Sequence, residues 1–491
     1  MAERPRERAS CLKRMGCCAG TLLFIGCVAA GITWALLVRM YGIRDDVGWI
    51  DSDRKRLPPR TAPVATPGNA YDAFLEATTL LSQPVEPVEP PGTVQPDWHT
   101  AVYHGKRPYI DVMSPAVQEI VRRNKLTLAK IHEAAARPIC AVPSDDNIDT
   151  NRNLRALARL SNNAALLAHV QGDDAKALTH IEDCFVLSVA CEQRDNAMAF
   201  LVGKAAGGIG AMTGRYVLAK GALSSERLRK HAAVVRGLRK QRVSLTEVES
   251  RWAQVAMRSY DDVSGAGLQE RAREYALILQ FDEDSSWSST ARSPLRLWFA
   301  KRGLGRSRVW TKDRYARRLG DQSQPLWVMD TDAMDARAQM DIRARSDLWA
   351  HVFVTDLASD VHRYQEYQAT LLAEEVIACI EAYRGEHGVY PGGLADLVPG
   401  YMPELPIDPW TGKPLLYIRL VEGYKLYAAG PNKRDDGGLT DPHEHLGLDQ
   451  VFVPVQTGTW DPSLPEVPSP RWDEGQPSEA PAEPPHSVGY E

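Results

Sequence analysis

Between Gly16 and Val38 the sequence reads GCCAGTLLFIGCVAAGITWALLV, 23 residues without a charge, and no other feature restricts the architecture so severely. About 20 apolar residues span a bilayer as a helix, since a helix satisfies its own backbone hydrogen bonds where no water can. Arg4, Arg6, Arg8, Lys13 and Arg14 precede the run, and Asp45, Asp46, Asp51 and Asp53 follow it. Cationic flanks stay on the cytoplasmic side. The expectation is a single N-terminal transmembrane helix with the N-terminus inside and the bulk of the chain extracytoplasmic, in the periplasm beyond a bacterial inner membrane. A cleaved signal peptide usually carries a shorter apolar run ending at small residues. Here the apolar character continues through Trp34 to Val38, which favours an anchor. The stretch Phe24 to Cys27 only loosely resembles a lipoprotein box.

Four of the eight cysteines, Cys11, Cys17, Cys18 and Cys27, lie in or beside this run, so they form no disulfide framework. No C-x-x-C pair marks zinc or redox work elsewhere, and Cys140, Cys184, Cys191 and Cys379 read as small core residues.

Beyond the anchor, LPPRTAPVATPG and SQPVEPVEPPGTVQP bracket one short helical run, NAYDAFLEATTLL. Proline-rich segments favour extended spacers. From Ser114-Pro115, expected as a helix start, apolar residues recur at helical spacing. LRALARLSNNAALLAHVQGDDAKALTHIEDCFVLSVAC predicts two helices joined at Gly172-Asp173, and the junction resembles a tetratricopeptide hairpin. No second copy follows at a fixed period, so an irregular helical bundle is expected in place of a solenoid. LVGKAAGGIGAMTGRYVLAK contains neither glycine-rich nucleotide fingerprint; its glycines predict close helix packing.

Arg292 to Arg318 holds ten Lys or Arg residues against one acid, Asp313, interleaved with Trp298, Phe299 and Trp310. A solvated basic surface or a contact with anionic lipid headgroups would suit it. The net charge of -5 gives no general nucleic-acid signature.

A long helix is expected from Thr355 to His387, stopped by Gly388 and Pro391. The period then changes. LLYIRL, GYKLYAAG and DQVFVPV predict three short strands, with a tight turn at Glu422-Gly423. Pro391, Pro399, Pro403, Pro406 and Pro409 forbid helix between the long helix and the first strand, so an ordered coil strapped down by Tyr390, Leu394, Leu397, Tyr401 and Trp410 is expected. The fold class is mainly α. The expected divisions are a basic cytoplasmic segment (1–15), the transmembrane helix (16–38), a Pro-rich tether with one short helix (39–110), an irregular α-helical hairpin domain (111–350), a small α+β module (351–455) and a disordered tail (456–491).

The stretch IEAYRGEHGVYPGGLADLVPGYMPELPIDPWTGKPLLYIRLVEGYKLYAAGPN resembles the C-terminal part of the major pseudopilin of type II secretion systems. Tyr383-Arg384, Tyr390-Pro391, Leu405-Pro406, Asp408-Pro409-Trp410, Tyr424 to Tyr427 and Gly430 carry the likeness over about 100 residues. The resemblance implies a long helix against a three-stranded antiparallel sheet. No prepilin leader, Gly-Phe cleavage site or first-turn glutamate surrounds residues 16–38, so the likeness is confined to the module. The whole arrangement resembles membrane-anchored envelope protein families of planctomycete-type bacteria.

The loop GPNKRDDGGLTDPHEHLGLDQVF gathers Asn432, Asp435, Asp436, Asp441 and Asp449 around glycines. Calcium takes six to eight oxygens and needs glycines where the chain curls back. The pseudopilin resemblance implies calcium here, with Asn432 at the first ligand position. A plain solvated turn is the other reading, because turns select the same residues. His443, Glu444 and His445 suggest zinc only weakly, without marked partners.

No G-x-S-x-G, H-E-x-x-H or P-loop occurs, and the pairs Glu374-Glu375 and Asp282-Glu283-Asp284 read as exposed faces. The expectation is a non-enzymatic extracytoplasmic interaction or scaffold protein, with a component of a secretion or pilus-like apparatus as the alternative. No nucleic acid or small-molecule substrate is implied.

Overall fold

The computed structural model describes residues 63–64, 66–85, 109–143, 148–196, 198–264, 307–316, 325–330, 357–421, 423–439 and 449–453. The expected anchor at 16–38, the tail at 456–491 and most of the basic run 292–318 lie outside them, as do Asp441, His443 and His445. Among the described residues no helix is long and apolar enough to cross a membrane.

The protein is mostly helical, with one small antiparallel sheet. Helix α1 (Ala70–Thr79) begins at Asn69, whose Oδ1 accepts from the Asp72 amide at 2.9 Å. Phe74, Ala70 and Ala77 are fully buried, so this short helix belongs to the helical core and not to a tether. Helices α2 (Tyr109–Arg123) and α3 (Lys125–Ala135) follow. The expected start at Ser114-Pro115 is corrected: α2 begins at Tyr109 and runs through Pro115, forgoing one bond of the ladder. Asn124, between α2 and α3, exchanges hydrogen bonds with the backbone of Ser82 at 2.7 and 3.0 Å and fastens the chain leaving α1.

Helices α4 (Ile148–Val170) and α5 (Asp174–Glu192) form the anticipated hairpin. Gly172 turns it with φ of 81°, a left-handed conformation that glycine adopts without steric cost. Asp173 then caps α5 by accepting from the Lys176 amide at 3.1 Å, satisfying a donor that the first turn leaves free. Cys184 and Cys191 are buried free thiols in α5, as is Cys379 further on, while Cys140 is half-buried. Burial pushes the Cys191 and Cys379 thiols up to about 12, so they act as core residues.

Helix α6 (Met198–Lys220) contains the glycine-rich stretch, and α7 (Ser225–Gln241) and α8 (Leu245–Ser264) complete this part. Gly203, Gly207, Gly210 and Gly214 line one stripe of α6. A Cβ on any of them would overlap a neighbour: Glu192, Tyr367, Cys184 and Glu374 respectively. The close packing read from sequence is present, and three of its four recesses admit polar side chains.

Helix α9 (Leu357–His387) ends at Gly388, φ 73°. It packs on α6 and α7, and then on the sheet. Strands β1 (Leu416–Arg419), β2 (Tyr424–Ala428) and β3 (Gln450–Val453) lie in that order, antiparallel, with Leu416 opposite Tyr427 and Leu426 opposite Val453. Gly423 makes the first turn, φ 103°. The coil between α9 and β1 buries Leu394, Leu397 and Trp410, and Gln450 donates to Glu366 O at 3.1 Å and Thr370 Oγ1 at 3.0 Å, tying β3 to α9. One continuous cluster of buried apolar side chains runs from Ala70 to Val453.

Candidate functional site

The acidic loop leaves β2 at Ala428. Lys433 closes its first turn by donating its amide to Gly430 O at 2.9 Å, with φ of 58°, while Asn432 Oδ1 accepts from the Arg434 amide at 2.9 Å. Asparagine followed by its own side-chain turn explains why this segment needs no strand or helix. Gly437 and Gly438 then adopt φ of 72° and 75°, curling the backbone so that its amides converge on one carboxylate. Asp449 Oδ2 accepts from Asp436 N at 3.0 Å and Gly438 N at 2.7 Å.

Asn432, Asp435, Asp436 and Asp449, four of the five expected residues, lie in this one hydrogen-bonded loop. Asn432 Nδ2 donates to Asp436 Oδ2 at 2.7 Å, and Asp435 Oδ1 accepts from Tyr427 Oη at 3.0 Å and from Gly437 N at 2.9 Å. Asp449 is buried, and its Oδ1 has no hydrogen-bond partner among the described residues. Burial raises its carboxyl above the usual range; the two amides oppose this, and the Asp436 and Asp435 charges add to it. Burying a carboxylate with one oxygen unmatched is costly.

The fit to a cation is partial. Among the described residues no three His, Cys, Asp or Glu side chains are arranged to hold a metal ion; Asp435 and Asp436 point at other partners. The Lys425 ammonium also occupies the carbonyls of Gly437, at 2.8 Å, and Gly438, at 3.4 Å. Those oxygens are of the type calcium takes. What fits is the oxygen-only donor set and the orphaned Asp449 Oδ1.

Sequence reasoning missed the lysines. Lys433 Nζ donates to Trp327 O at 3.2 Å and Met329 O at 2.6 Å, so residues 325–330 are strapped to the loop. Asp408 was legible only as part of a motif; in the structure it is a buried hub accepting from the amides of Trp410 at 2.8 Å and Ala429 at 3.1 Å. Trp410 is buried, as expected of a structural residue.

A further expectation is overturned. Glu374 and Glu375, read as an exposed pair, are both buried. Glu375 is held by Arg236 at 2.6 Å and Arg239 at 2.5 Å, both from α7. A helix enclosed on nearly every side buries adjacent residues, so consecutive charges must find partners.

Comparison with known protein families, curated proteins and solved structures finds no match to this chain.

Proposed function

We propose that the protein is a membrane-anchored extracytoplasmic scaffold, in which the helical bundle offers protein-binding surface and residues 351–455 form a pseudopilin-like module with a calcium-binding loop. The uncharged run 16–38 behind its basic flank supports the anchor. The order of long helix, strapped coil and three antiparallel strands is the one the resemblance implies for the module. The observation that carries calcium is the buried Asp449 carboxylate, whose free oxygen lies in a loop with Asp435 and Asp436. Those carboxylates and the loop carbonyls would hold the ion, which would supply the positive charge that three neighbouring carboxylates lack.

Thermal unfolding of the full chain in detergent tests this. A ligand that binds only the folded state stabilises it, by about 2.7 kcal/mol at one hundred times its dissociation constant, and so raises the midpoint. Calcium should raise the midpoint over chelator, and Asp449→Asn should abolish the rise. An unchanged midpoint at millimolar calcium would leave the loop as a turn closed by Lys425. Active alkaline phosphatase fused after residue 60 would support the topology; an active cytoplasmic reporter there would overturn it. Crosslinking in native membranes that recovered secretin or secretion ATPase components would replace the scaffold by a secretion apparatus.

A further inference from the structure

His231 of α7 is fully buried between two carboxylates from two other helices. Its Nδ1 lies 3.0 Å from Glu182 Oε1 of α5, and its Nε2 lies 3.5 Å from Glu374 Oε1 of α9. Arg227 also grips Glu182, donating Nη1 to the same Oε1 at 2.7 Å and Nη2 to Oε2 at 3.1 Å. Helix α6 contributes only Gly214, pressed against the Glu374 carboxylate, while the Phe185 ring covers the imidazole from 6.3 Å. Glu375, the next residue of α9, is engaged by Arg236 and Arg239. The charged groups facing the imidazole are thus Glu182, with Arg227 behind it, and Glu374.

Hydrogen-bond chemistry places a proton here. An ionised carboxylate only accepts, so Nδ1 carries hydrogen toward Glu182. If Nε2 were bare, its lone pair would face a carboxylate oxygen across 3.5 Å, and neither Nε2 nor either oxygen of Glu374 has a hydrogen-bond partner among the described residues. A proton on Nε2, directed at Oε1, removes that conflict. With it, Arg227 and the imidazolium balance Glu182 and Glu374. Without it, one negative charge stands uncompensated where water cannot reach.

We propose that this proton is a lock: while it is held, α9 stays docked on α7, and its release as pH rises loosens α9 and with it the C-terminal module. Burial opposes the charge on His231, but its hydrogen bonds and proximity to Glu182 and Glu374 outweigh burial, so its affinity for the proton exceeds that of a free imidazole. The stabilisation is therefore complete below about pH 6.5, the free value, and is lost as pH rises through the higher folded value.

Hydrogen exchange of the α9 amides in the full chain reads the lock directly. Wild type and His231→Gln are compared at equal pH, so intrinsic exchange chemistry cancels. At pH 6 the variant should exchange several-fold faster than wild type. At a pH well above the folded value the two should converge. A ratio that is the same at both pH values would overturn the proposal. Should His231→Gln fail to fold, His231→Gln with Glu374→Gln leaves no unmatched charge; with Glu381→Gln added to remove the other titrating carboxyl of α9, its α9 protection relative to that of α4 should not change with pH. If it falls with pH as in wild type, the lock lies elsewhere.

Discussion

Arg242, which ends α7, lies with Nη2 2.9 Å from Glu192 Oε1 of α5, and neither side chain is more than 1% exposed. The guanidinium also stacks over the rings of Tyr367 and Tyr364 of α9, 4.4 and 5.0 Å from their centroids. The pair therefore joins three helices. Removing one partner of a buried ion pair costs about 3–5 kcal/mol, whereas replacing both by apolar groups is often neutral. Arg242→Met should destabilise the chain by that amount in denaturant unfolding, and Arg242→Met with Glu192→Met should recover most of it. A double-variant loss equal to the sum of the losses in Arg242→Met and Glu192→Met would show that the pair is not coupled.

Gly207 and Gly208 are adjacent in α6 and should respond oppositely to alanine. A Cβ at 207 would overlap the Tyr367 hydroxyl, while nothing lies within 4 Å of one at 208. Alanine exceeds glycine in helix propensity by about 1 kcal/mol, so Gly208→Ala should raise the unfolding midpoint. Gly207→Ala should lower it, through an overpacking cost of about 1–3 kcal/mol, and Tyr367→Phe in that background should return part of the loss.

Glu381 of α9 titrates in the opposite sense from most surface acids. Burial pushes its carboxyl up to about 7, against the Arg384 guanidinium and the Tyr424 hydroxyl, which pull it down. The folded state thus retains a proton that the unfolded chain releases near pH 4.3, and stability falls as pH rises from there to about 7. Glu381→Gln should leave stability at pH 4 nearly unchanged and increase it by about 1–3 kcal/mol at pH 8. A gain of equal size at both pH values would place the effect in packing.

Lys425 competes for the oxygens of the acidic loop. If its ammonium is what Gly437 and Gly438 accept in place of an ion, Lys425→Met should enlarge the calcium-dependent rise in midpoint while lowering the midpoint in chelator. A variant indistinguishable from wild type in both conditions would show that this lysine does not close the loop.

Much of this architecture was legible where the cause is local. The Gly172-Asp173 turn, the stop at Gly388, the turn at Gly423 and all three strands follow from backbone conformations that glycine permits and from side-chain alternation. The loop was legible as a concentration of oxygens, because Asn and Asp make their own turns. The fate of Glu374 and Glu375 was not. Helical periodicity assigns charges outward, and their partners His231, Arg236 and Arg239 lie more than a hundred positions away in the chain. Lys433 reaching Trp327 and Met329 is hidden for the same reason: a single flexible cation leaves no pattern.

The glycine stripe of α6 also sets an order of events during synthesis. Its recesses at Gly207 and Gly214 receive Tyr367 and Glu374, residues that leave the ribosome more than 150 positions later. Until then, α6 presents grooves with nothing to fill them, and Arg236 and Arg239 await their shared carboxylate. Domains made early in a chain generally fold as soon as they emerge. Here the first helices must wait in an unfinished state, exposed to chaperones and proteases, until α9 arrives and completes the interior.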